Sequence, residues 1–90
     1  MKLMCFAHMP RYFFHIHNDA DTFDEEGTVY ADTEAACRSA KREAQYLASV
    51  SVKEHGHLVL DHYVRVTDEF GDVVTTVTFE NAVEIRREGG

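Results

Sequence analysis

Leu58, Leu60, His62, Val64 and Val66 alternate with Val59, Asp61, Tyr63, Arg65 and Thr67, so a period of two runs along this stretch and predicts a strand. The first set faces a core in that reading, which makes His62 a buried imidazole. Upstream, Arg11 to His17 is aromatic, β-branched and His-rich, a composition that suits a pleated strand. Its alternation sends Tyr12, Phe14 and Ile16 to one side and Arg11, Phe13, His15 and His17 to the other. Asn18-Asp19-Ala20-Asp21 supplies turn side chains, and Thr28-Val29-Tyr30 after Gly27 reads as a returning strand. A long helix follows. Asp32 is its N-cap, Glu34 complements the positive helix start, and Gly56 is placed to take a left-handed C-terminal cap. Ala36, Cys37, Ala40, Ala44, Leu47 and Ala48 share one helix face, where small side chains allow close approach to a sheet. Asp68-Glu69-Phe70-Gly71-Asp72 then turns the chain into the β-branched run Val73 to Thr78, a second hairpin. From Glu80 to Arg87 helical and extended preferences balance.

This order predicts a small ββαββ domain of the α+β class, with one helix packed on one face of a largely antiparallel sheet. Residues 1–8 read as a flexible N-terminal extension, 9–86 as the single α+β domain and 87–90 as a flexible tail. Ninety residues leave room for one core and little for a deep enclosed site.

Charge narrows the partners. Nine Lys and Arg stand against 16 Asp and Glu, a net charge of −7, which disfavours nucleic acid and anionic membranes. No apolar run reaches the ~18 residues of a membrane span. Cys5 and Cys37 are too few for a disulfide scaffold, so a reducing cytoplasm is the expected setting, and Cys37 reads as a core thiol among alanines.

Six histidines invite a metal reading through His15, His17 and His57, yet no short Cys/His spacing completes a ligand set. Seven acids lie between Arg11 and Arg38 without a cation, but Phe23 falls where a calcium loop needs an oxygen. No nucleophile motif or phosphate loop is present, so neither catalytic residue nor cofactor is assigned. The terminal Gly89-Gly90 after Arg86-Arg87 resembles the end of a ubiquitin-like modifier. The sheet face away from the helix carries more: Arg11, Phe13, His15, Tyr63 and Arg65 form a candidate interaction surface, since exposed aromatics call for a cover.

Met9-Pro10-Arg11-Tyr12-Phe13-Phe14-His15 resembles the opening of an uncharacterised family of short bacterial proteins, a domain of unknown function. Asp24-Glu25-Glu26-Gly27, the Ala-rich helix from Asp32, Val66-Thr67-Asp68-Glu69 with Gly71, and Phe79 followed by Ala82-Val83-Glu84 agree in order. The likeness spans residues 9 to 85 and implies that Met9 is the usual start. It implies no catalytic residue.

The functional expectation is therefore a non-enzymatic module that binds a protein partner or a second copy of itself through an open sheet face or edge. A histidine-based metal regulator or small enzyme and a Gly-Gly modifier are the alternatives. No small-molecule ligand is indicated.

Overall fold

A computed structural model describes residues 9–88. The elements are β1 (Arg11–His17), β2 (Asp21–Thr22), β3 (Thr28–Val29), α1 (Thr33–His55), β4 (Tyr63–Thr67), β5 (Val73–Thr78) and α2 (Phe79–Ala82). The strands make a 5-stranded antiparallel sheet in the order β2-β1-β4-β5, with β3 also paired to β1. The α+β class with one main helix is the one the pattern predicts. Residues 1–8, Cys5 and Gly89-Gly90, on which the extension, part of the tail and the modifier reading rest, lie outside the described residues.

Asp32 caps α1 by accepting a hydrogen bond from the Ala35 amide at 2.8 Å, and Gly56 closes it with φ 71°. Between these ends Ala36, Ala40, Ala44 and Ala48 recur every four residues and are all buried. Having no side chain beyond Cβ, they bring the helix close to Tyr12, Val64, Val66 and Phe79 in one core. Cys37 sits at the margin of this stripe, half-buried and free, because it is one position removed from Ala36.

Three features depart from the sequence reading. First, the segment from Asp21 to Tyr30 runs antiparallel along the outer edge of β1 in two short ladders instead of one returning strand. Ile16 pairs with Thr22, Tyr12 pairs with Thr28, and Tyr30 N donates to Pro10 O at 3.1 Å. Asp24, Glu25 and Glu26 lie between the two ladders. Second, β4 begins only at Tyr63. After Gly56 the chain must descend from the helix layer to the sheet, and Leu58–His62 make that descent through a turn closed by His62 N on Val59 O at 3.2 Å. Leu58 still packs on the core, and His62 is buried at 9% exposure with its ring edge against Phe79 and His17. Third, Val66 faces Thr75 while Thr67 faces Val73, so one extra residue bulges at Val74. The bulge turns Val74 towards the core and leaves Val73 59% exposed, whereas simple alternation puts Val74 near the open face.

The stretch of balanced preference opens as a single helical turn, α2, and from Val83 to Arg87 it is neither helix nor strand. Thr78 Oγ1 accepts from Asn81 N at 3.1 Å, and Phe79 is wholly buried beneath α1. Among the described residues no helix is long and apolar enough to cross a membrane.

Candidate interaction surface

Alternation in β1 and β4 fixes what the face away from α1 presents. His15 lies opposite Arg65, His17 opposite Tyr63 and Phe13 opposite Thr67. Cross-strand neighbours on one face pack together, and here they form a connected polar-aromatic row. The Arg65 guanidinium lies 4.7 Å from the Tyr63 ring centroid, and its Nε donates to Thr76 Oγ1 at 3.3 Å. His17 stacks on the same tyrosine at 5.0 Å and places Nδ1 2.6 Å from Asp21 Oδ1. With Phe23, these side chains line a shallow hollow of about 110 Å³.

The tautomer of His15 follows from its partners. Asp24 N donates to His15 Nδ1 at 3.2 Å, so that nitrogen holds a lone pair; Nε2 then carries the proton and donates to Thr67 Oγ1 at 3.1 Å. Both ring nitrogens are thereby committed within the fold.

Arg11 and Phe13 belong to the other end of β1. Arg11 Nη1 donates to Glu26 O at 2.9 Å, and the side chains of Arg11 and Phe13 close over Gly27. The five residues chosen from the sequence therefore share a sheet face but fall into two groups: His15, Tyr63 and Arg65 around the hollow, and Arg11 with Phe13 over Gly27. His57 joins neither. It stacks on His55 at 5.3 Å, and its Nε2 lies 3.2 Å from Asp19 Oδ1. Among the described residues no group of three or more His, Cys, Asp or Glu side chains is placed to hold a metal ion.

Asp24 organises the outer edge. Between the ladders of β2 and β3 its Oδ2 accepts from Phe14 N at 3.1 Å, in place of the backbone carbonyl a longer strand would supply. Its Oδ1 accepts from Glu26 N at 3.1 Å and Gly27 N at 3.0 Å. Partial burial pushes the carboxyl upward, but the three amides outweigh it and hold Asp24 below the ordinary carboxylate value of 3.8.

The sequence reading named a sheet edge without saying which strand supplies it. β5 ends the sheet order, and among the described residues no strand pairs with its outer edge. Its six residues, Val73, Val74, Thr75, Thr76, Val77 and Thr78, are all β-branched and uncharged. Phe70, 82% exposed, stands at the turn that leads into it. The signal was visible as a charge-free β-branched run, but its position at the rim depends on strand order.

Fold and surface together define a small α+β domain in which His17, His55 and His57 pair with Asp19 or Asp21, and whose open groups include a strand edge, several carboxylates and scattered aromatics. The chain belongs to the family described as a domain of unknown function, DUF6894, which it matches over residues 11–80, from the start of β1 into α2. No curated protein and no solved structure matches it.

Proposed function

We propose that this domain is a non-enzymatic interaction module that pairs with a second copy of itself through the outer edge of β5, with the adjoining open face as its flank. One observation carries the reading: an edge strand of six β-branched residues has neither a charge nor a proline. Natural edges are ordinarily blunted by such residues, because unpaired strand amides and carbonyls recruit any strand that approaches. Two antiparallel β5 strands related by a two-fold axis would satisfy one another's backbone groups and continue the sheet. A stable pair buries on the order of 1,200 to 2,000 Å² in total, so the contact must also cover Phe70, Val73 and part of the face around Arg65. The Cys37 thiol suits a reducing cytoplasm as the setting.

Replacing Val73 and Thr76 together by Glu tests this. Thr76 lies opposite Arg65, so a glutamate there gains a cross-strand cation while charging the edge. Wild-type protein is expected to sediment as a dimer at micromolar concentration and to unfold at a temperature that rises with protein concentration. The double variant should sediment as a folded monomer. A wild-type chain that stays monomeric up to roughly 300 µM removes the reading.

A further inference from the structure

On the helix side of the sheet the outer edge of β1 is not fully roofed by α1. A groove of about 600 Å³ remains there between the Asp21–Tyr30 segment and the first half of the helix. Its floor is apolar and aromatic: Phe14 and Tyr30 stack almost parallel, 5.8 Å apart at 7°, with Ile16 beside them. Tyr30 is held from behind by its hydroxyl, which donates to Ser39 Oγ at 2.9 Å. Phe23, 73% exposed, stands at the lip shared with the hollow on the opposite face.

The rim gives the groove its chemistry. Glu25 and Glu26 line one wall and Glu43 the other, and no Lys, Arg or His is among the lining residues. Among the described residues none of these three carboxylates forms an ion pair, while Asp24 is spent on backbone amides. Aromatic faces attract cations, and carboxylates at a partly desolvated rim add to that attraction. The volume is of the size that accepts a side chain or small ligand.

We infer that this groove is a docking site for a basic segment of a partner protein, with an arginine or lysine side chain laid on Phe14 and Tyr30 and its charge shared among Glu25, Glu26 and Glu43. The inference is independent of the β5 edge, which lies at the other margin of the sheet. One feature favours a peptide over a free polyamine: the groove follows the exposed Asp21–Tyr30 segment, along which an extended chain can lie.

The test is a titration of the full chain with a six-residue peptide alternating arginine and alanine, followed by amide NMR at about 0.15 M salt, where distant charges are screened. Shifts should concentrate at residues 14–16, 22–30 and 39–43. Replacing Glu25, Glu26 and Glu43 by Gln should weaken binding roughly tenfold. A control that removes the same charge elsewhere, through Glu54→Gln, Asp61→Asn and Glu88→Gln, should change it by less than about twofold. Phe23→Ser should weaken the peptide while leaving the fold intact, as the ring is mostly exposed. Equal weakening by the two triple variants, or shifts scattered over the molecule, would show generic attraction to an acidic protein and overturn the site. Spermine binding as tightly as the peptide would overturn the assignment to a protein segment.

Discussion

Gly27 and Gly56 have nearly the same φ, 73° and 71°, but different surroundings. A Cβ on Gly56 meets nothing within 4 Å, whereas one on Gly27 would lie 2.8 Å from Arg11 Cγ and Phe13 Cε2 and 2.9 Å from the Tyr12 carbonyl oxygen. Gly56→Ala should therefore cost only the left-handed strain, about 1 kcal/mol. Gly27→Ala adds a collision with backbone that cannot swing aside and should cost about 2 to 4 kcal/mol. Urea titration of the two variants checks the ranking, and equal losses would contradict the packing described over Gly27. Asp24→Ala unpairs three amides at once and should cost about 2 to 3 kcal/mol at neutral pH. Because the folded-state pKa of Asp24 is depressed, its contribution is fully present above the unfolded value near 3.8 and is lost as pH falls through the lower folded value. The stability gap between wild type and Asp24→Ala should thus be constant from pH 7 to about 5 and narrow below about 4. Capping residues such as Asp32 and Gly56 were legible because their partners lie within one helical turn. Asp24 was not, because its amide partner at Phe14 is ten positions away on another strand.

At the level of elements, the helix is the part most fully written in the sequence. Its alanine stripe states both where the helix lies and how near. Ala44 is wholly buried, so Ala44→Leu has no space to fill and should push α1 off the sheet at a cost of about 1 to 3 kcal/mol. Lys41→Leu on the exposed side should stay within about 0.5 kcal/mol. Thermal unfolding resolves these, since 1 kcal/mol shifts the midpoint of a domain this size by roughly 4 to 8 °C. Strand β1 was read at its observed limits, but β4 was read five residues too long, at Leu58–His62. Alternating burial reports only which side chains point inward; Leu58 and His62 are covered while the chain descends from the helix without any ladder. The bulge at Val74 was hidden for a related reason, as every residue from Val73 to Thr78 is β-branched and no break in composition marks the extra one.

For the whole molecule, alternation was sufficient to place Arg11, Phe13, His15, Tyr63 and Arg65 on one face, but not to tell which of them touch. That depends on register, and the β1–β4 register sets His15 against Arg65 and carries Arg11 past the end of β4. The free β5 edge and the acid-rimmed groove depend equally on strand order, a non-local property. The same strand order bears on biosynthesis. β1 lies inside the sheet, yet one of its neighbours is β4, and His15 and Thr67, which share a hydrogen bond, are 52 positions apart. A ribosome adding 5 to 20 residues per second emits β1 roughly 3 to 10 seconds before that partner exists. Through this interval the nascent chain can form α1 and the short ladders of β2 and β3, while Tyr12, Phe14 and Ile16 lack the β4 side of their core. A chain stalled or cleaved before Tyr63 would leave that aromatic strand open to chaperones and proteases, so the cell should clear such fragments quickly while retaining the finished domain.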